Sequence, residues 1–289
     1  SLWADAAAKA PLMARPHIYL GEEAEKRGDA SAAMAAFRTV LNRDPYYAPA
    51  YLKIKDHIVD SSGDLARATA LMEAAVKRNV QSAPLWGGLG EVYRLRAQAA
   101  EATGLMSEGR TWYAKSMEAY REGVSFDEEN PALLNNLGNT LQALGRPQQA
   151  IPLHRQACAL DEEDARSWLN LGNAQIMSGF SVEAVKSYRR AVTVDPQFGQ
   201  AWVSLAAAME RIGDLEGAVA ARRGVKTRVL LDGVFYQLDV NKPDGNDDTV
   251  RYLNALAAKE GLDLQARIID LETIGLAKIH AKGVIVGKK

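Results

Sequence analysis

The chain repeats itself every 34 residues, and that period constrains its architecture more than any single motif. Leu134, Trp168 and Trp202 stand 34 residues apart, and the same frame aligns Leu137, Leu171 and Leu205, then Gly138, Gly172 and Ala206. Further on it aligns Gly145, Gly179 and Gly213, and then Ala150, Ala184 and Ala218. A unit of this length cannot bury its own apolar face, so it gains a core only by stacking on its neighbours.

The pattern continues upstream. Gly28, Ala33, Phe37 and Asp44-Pro45 match the second half of a repeat, Tyr51 opens the next, and Ala68 and Met72 fall in its second helix. Trp86-Gly-Gly-Leu89-Gly90-Glu-Val-Tyr93 follows 35 residues after Tyr51, and from Trp86 to Leu134 the step is 48, an excess of 14 residues. The excess falls in residues 94–113, whose Ala-rich composition predicts helices longer by about two turns, broken at Gly104. Small residues at Gly138, Gly172, Ala150 and Ala184 are expected where two helices approach closely. Phe37, Trp168, Tyr188 and Trp202 are expected to face the core, with Pro45, Pro131 and Pro196 at the hand-over between repeats. The W-x2-L-G-x2-Y signature resembles the tetratricopeptide repeat (TPR). That resemblance implies a mainly α fold, a TPR α-solenoid in which helix pairs form a right-handed superhelix, over residues 14–224. It would hold about six repeats with an elongated third, preceded by a lead-in over residues 1–13.

The first helices of such pairs line a concave surface suited to an extended peptide or partner protein. Asn136 and Asn170 occupy equivalent positions, followed by Ser204, and Asn139 and Asn173 form a second row one helical turn on. Asn is a mediocre helix former, and it offers both a donor and an acceptor to a peptide amide. Gln142, Arg166 and Gln200 complete the expected groove. Asn136-Leu137-Gly138 and Asn170-Leu171-Gly172 resemble the TPR superhelix of O-linked N-acetylglucosamine transferases, where an asparagine ladder holds peptide backbone. The other reading is that these asparagines cap or brace neighbouring helices. A basic clamp for a C-terminal carboxylate would need cations beside the Asn rows, and Ala132, Asn135 and Leu169 do not supply them.

Lys and Arg number 35 against 36 Asp and Glu, a net charge of −1, so no bulk field draws the chain to nucleic acid or an anionic membrane. Cys158 is the sole cysteine and is expected to be a small buried residue, leaving neither an internal disulfide nor a cysteine zinc site. His17, His57 and His154 lack a second ligand at metal spacing and are expected at surfaces or interfaces. No metal or cofactor is expected. No apolar run approaches the roughly 20 residues of a membrane span, and Ser1-Leu-Trp-Ala-Asp lacks the order of a signal peptide, so a soluble cytoplasmic protein is expected.

From Gly224 the texture changes. Residues 225–232, 264–270 and 278–286 are β-branched and apolar, and Val250, Leu253, Leu256 and Ala257 recur with helical spacing, which predicts a strand-helix-strand-strand α/β segment over 225–289. The run from Ala221 to Asp232, followed by Lys278-Ile-His280-Ala-Lys282-Gly-Val-Ile-Val286, resembles one half of a phospholipase D superfamily domain. The resemblance implies His280 as the nucleophile on phosphorus and Lys282 as the ligand of the phosphoryl oxygens. The family's Asp falls at Gly287, the chain stops at Lys289, and the family needs two such motifs. The segment is therefore expected to be incomplete and inactive alone, with phosphodiesterase activity only if further sequence or a second copy in a homodimer completes it. The expected function is a protein-interaction scaffold that binds an extended peptide or partner protein. The alternative is a phospholipase D-like phosphodiesterase or nuclease served by the repeats, and a third reading is self-assembly through the solenoid ends.

Overall fold

The computed structural model describes Trp3, Asp5 and residues 13–222, 264–270 and 282–288. Its internal contacts divide the chain into two units, Ser1–Ala221 and Arg222–Lys289. Among the described residues the first unit is helical: α1 (Ala14–Lys26), α2 (Ala30–Arg43), α3 (Ala48–Ser62), α4 (Leu65–Arg78), α5 (Ala83–Ala102), α6 (Met106–Phe126), α7 (Pro131–Ala143), α8 (Pro147–Leu160), α9 (Ala165–Met177), α10 (Ser181–Val194), α11 (Gly199–Arg211), and a further helix that begins at residue 215.

Consecutive helices pair as hairpins. Each turns through a glycine with positive φ, at Gly28, Gly63, Gly104, Gly145, Gly179 and Gly213, a conformation that an L side chain rarely adopts. At three of the turns an acid starts the next helix: Asp29 accepts from the Ala32 amide at 2.9 Å, Asp64 from the Arg67 amide at 2.9 Å and Asp214 from the Gly217 amide at 2.8 Å.

In the first, third, fourth and fifth hairpins the helices meet through a ring laid on a glycine. A Cβ at Gly90 would stand 2.8 Å from the Tyr120 ring and one at Gly138 would stand 2.6 Å from the His154 ring; Gly21 against Phe37 and Gly172 against Tyr188 are closer still. All four rings are buried. The small residues at Gly138 and Gly172 therefore do admit the second helix, and what they admit is an aromatic face.

The aromatic that opens each repeat does a different job. Trp86 donates its indole N–H to the Val80 carbonyl at 2.6 Å, Trp168 to Glu162 at 3.0 Å and Trp202 to Pro196 at 2.9 Å, while the Tyr51 hydroxyl donates to Pro45 at 3.1 Å. Each acceptor lies six residues upstream, in the loop joining one repeat to the next. Trp168 and Trp202 are therefore only partly buried, because one edge must reach that loop. Leu134 has no donor to offer, and the corresponding Glu128 carbonyl takes its hydrogen bond from Gln156 Nε2 at 3.1 Å.

The third hairpin is long on both sides of Gly104: α5 has 20 residues and α6 has 21, against 13–15 in the other named helices. The surplus is about two turns per helix. Tyr113 ties them by donating to Glu101 at 3.1 Å. Trp112 stacks on Tyr93 and receives Arg96 at 3.6 Å and Lys115 at 4.4 Å from its ring centroid. At its turn two apolar side chains are exposed, Leu105 by 52% and Met106 by 62%.

In the second unit, β1 (Leu264–Asp270) pairs antiparallel with β2 (Lys282–Lys288), Leu264 opposite Lys288 and Asp270 opposite Lys282. Of the expected strand over 278–286, residues 282–286 lie in β2, and residues 278–281 lie outside the described residues. The expected strand over 225–232 and helix over 250–257 lie outside the described residues, as does His280, so no strand is observed that carries both His280 and Lys282.

Gly172→Ala tests the ring contact. Alanine favours an open helix site by about 1 kcal/mol, but overpacking the Tyr188 ring costs about 1–3 kcal/mol. The expected net effect is destabilisation, read as a lower Tm, whereas Gly199→Ala, with nothing within 4 Å, should leave Tm unchanged or raise it. Brief chymotrypsin digestion should cut the third hairpin first beside Leu105 and Met106 and spare the rest of α5 and α6. Early cleavage within residues 110–120 would contradict the stacked arrangement.

Candidate functional site

The helices α7 and α9 touch; α7 carries Asn136 and Asn139, and α9 carries Asn170 and Asn173. Asn136, Asn139, Asn170 and Asn173 are all partly exposed, as are Gln142 and Ser204, while Arg166 and Gln200 are exposed near the starts of α9 and α11. They differ in how they are held. Asn139 accepts from Gln142 Nε2 at 3.4 Å, and Asn173 accepts the Tyr188 hydroxyl at 2.8 Å, so each has its carbonyl oxygen engaged within the chain. Asn136 and Asn170 have no side-chain hydrogen bond among the described residues.

Beneath this surface runs a buried polar chain that sequence reasoning missed. Gln142 Nε2 meets His154 Nε2 at 2.8 Å, and His154 Nδ1 meets Asn135 Oδ1 at 2.9 Å. Asn135 Nδ2 donates to Ser167 Oγ, and Ser167 Oγ donates to the Asp164 carboxylate at 2.5 Å. Asp164 is also the N-cap of α9, accepting from the Arg166 and Ser167 amides at 3.0 and 3.2 Å. The chain therefore joins α7, α8 and α9 across the junction of the fourth and fifth hairpins. His154, expected at a surface or interface, is 0% exposed. It takes the place that Tyr120 and Tyr188 hold one repeat away on either side, which is why its ring is enclosed. Burial holds its pKa far below the ordinary 6.5, at about 4, so the ring is neutral.

Lys55 is a second buried polar residue outside the sequence expectations. It stands where the first, third, fourth and fifth hairpins have Gly21, Gly90, Gly138 and Gly172, and it is paired with Asp56 at 2.7 Å and with Glu91. Burial opposes its charge, but the hydrogen bonds to Asp56 and Glu91 outweigh that and raise its pKa. Cys158 is buried as expected, and burial pushes its thiol up to about 12. Among the described residues no three His, Cys, Asp or Glu side chains gather as a metal site, and no helix is long and apolar enough to cross a membrane.

The low pKa of His154 makes stability depend on pH. The unfolded ring takes up its proton near pH 6.5 and the folded ring only near 4, so stability is fully present above 6.5, falls as pH drops from 6.5 towards 4, and levels off below. The loss amounts to roughly 3 kcal/mol at most. Urea unfolding across this range should show the slope in the native chain. An Asn135→Leu/His154→Tyr double variant, which installs the residues found 34 positions later, should lack this component.

Two segments match tetratricopeptide repeat models, residues 81–163 and residues 178–226. None of the curated proteins compared with the chain is significantly similar to it. Among solved structures, TTC0263, a thermophilic TPR protein of Thermus thermophilus, superposes with a TM-score of 0.54 at 19% identity, covering 68% of this chain and 99% of its own. YrrB, described as a TPR protein with an unusual peptide-binding site, gives 0.51 at 20% identity, covering 66% and 91%. A MamA RS-1 double mutant gives 0.52 at 15% identity, covering 62% and 93%. Residues 81–163 and 178–226 thus match tetratricopeptide repeats, and the helical unit shares the fold of solved TPR structures.

Proposed function

We propose that the helical unit is a protein-interaction scaffold that holds an extended peptide segment along α7, α9 and α11. The observation that carries this reading is the pair Asn136 and Asn170. They occupy equivalent positions on adjacent helices, are partly exposed, and keep their carboxamides free of partners among the described residues. A carboxamide can donate to a peptide carbonyl and accept from a peptide N–H, so a row of them grips backbone without selecting side chains. Asn139 and Asn173 extend the surface by one turn, with Gln142, Arg166, Gln200 and Ser204 at its margins. The likeness to YrrB, described as having a peptide-binding site, favours a peptide over a small molecule as occupant. Lys55, with Asp56 and Glu91, contributes a paired charge cluster nearer the N-terminus, which suits bracing better than capture of a free ion.

The test is a screen of the full chain against an array of extended random peptides, followed by titration of the binders. Asn136→Ala/Asn170→Ala should weaken a binder by about 10- to 100-fold, at about 0.5–1.5 kcal/mol per lost hydrogen bond. Tm should be unchanged, because neither side chain braces the fold. Undiminished binding by the double variant would remove these residues from the site.

A further inference from the structure

The buried chain beneath the asparagine rows has a direction, and its direction begins at Asp164. An ionised carboxylate can only accept hydrogen bonds. Ser167 must therefore give its hydroxyl proton to Asp164, and its oxygen is left to accept from Asn135 Nδ2. Asn135 then turns its carbonyl oxygen to His154 Nδ1, which must carry the ring proton. Because the ring is neutral, Nε2 is a bare lone pair, and it must receive an N–H from Gln142. The remaining N–H of Gln142 goes to Asn139 Oδ1. Two side chains at the surface are thereby fixed in orientation. Gln142 has spent both donors and has only its Oε1 acceptor left, and Asn139 has its oxygen engaged and has only its Nδ2 donors left.

A second observation shows that stacking does not require this chain. None of its five members recurs 34 positions later: Asn135 becomes Leu169, Gln142 becomes Ile176, Asp164 becomes Phe198 and Ser167 becomes Ala201, while His154 becomes Tyr188, whose hydroxyl reaches Asn173. That set packs the next junction into a continuous core. The same fold is thus made without a polar chain joining three helices one repeat away, and all five positions differ together.

We propose that Asp164, acting through Ser167, Asn135 and His154, locks the hydrogen-bonding polarity of Asn139 and Gln142, so that the groove admits an extended peptide in one chain direction. The proposal rests on the peptide-scaffold reading above and adds to it. A free carboxamide can rotate to serve a peptide running either way, as Asn136 and Asn170 can. The locked pair cannot: a peptide carbonyl must face Asn139 and a peptide N–H must face Gln142. Asp164, Ser167, Asn135 and His154 are positioning residues, since none of them reaches the groove itself.

The full chain, labelled with nitrogen-15, allows the lock to be tested without a ligand. His154 should be the Nδ1–H tautomer, with a through-hydrogen-bond coupling between Gln142 Nε2 and His154 Nε2. N,N-dimethylacetamide, which accepts hydrogen bonds but cannot donate them, then serves as the probe. It should shift the side-chain amide signals of Asn139 while leaving those of Gln142 in place. In Asp164→Asn, whose carboxamide no longer compels the direction, and in Asn135→Leu/His154→Phe/Ser167→Ala, whose ring lacks the hydroxyl by which Tyr188 holds Asn173 one repeat on, both sets should shift alike. A His154 Nε2–H tautomer, or equal shifts of Gln142 and Asn139 in the native chain, would overturn the proposal. Should the lock hold while the peptide array yields no binder in the groove, the scaffold reading fails and the polarity assignment stands. For a binder, reversing its sequence should cost the native chain at least 10-fold more affinity than it costs either variant; equal losses would refute the directional claim.

Discussion

A ring laid flat on a glycine is the contact on which this structure depends. A bulky ring on one helix of a hairpin can be seated only where the other has no side chain, and Gly21, Gly90, Gly138 and Gly172 supply that gap to Phe37, Tyr120, His154 and Tyr188. The ring fills the space at interior density, so the hairpin becomes a rigid unit with a preset crossing. With the crossing set, the next hairpin meets a fixed surface, and the stack propagates from neighbour to neighbour. Lys55 shows the cost of departing from the rule: a long side chain in the glycine position needs two carboxylates, one of them on the following hairpin, to neutralise it.

Between hairpins the problem is different, because the joining loops leave carbonyl groups without helical partners. The opening aromatic of the repeat meets that need, and its polar edge rather than its size explains the position. The exception supports the account. Where Leu134 replaces the aromatic, Gln156 from α8 reaches the orphaned Glu128 carbonyl instead. At the exposed Val80, Glu128 and Glu162 water can take the partner's place, so the bond matters most at the part-buried Pro45 and Pro196 carbonyls.

The fourth junction stands apart, since a continuous chain of five polar side chains joins three helices there. A fully satisfied polar chain in a low-dielectric interior is directional and stiff, and a half-satisfied one is worse than none. Five residues on three helices must therefore agree at once. That requirement ties the cap of α9 to the surface of α7 and gives the asparagine rows two kinds of member. Some have free amides, and others have amides whose orientation is settled in the core.

The helical part of the fold was legible in the sequence because a 34-residue period constrains every unit at once: Gly145, Gly179 and Gly213 mark turns, and Ala150, Ala184 and Ala218 mark buried faces. The extra length around Gly104 was legible too, as an excess over that period. The burial of His154 was not, since a lone histidine in a helix carries no periodic signal of its own. Its place could have been found by setting it against Tyr120 and Tyr188, 34 residues to either side. The sequence by itself determined which residues recur, and therefore the repeat, its turns and the rows containing Asn136 and Asn139. Only the tertiary structure decided which of those amides are free and which are bound, because hydrogen bonds between α7, α8 and α9 depend on distances across the stack that no spacing along the chain encodes.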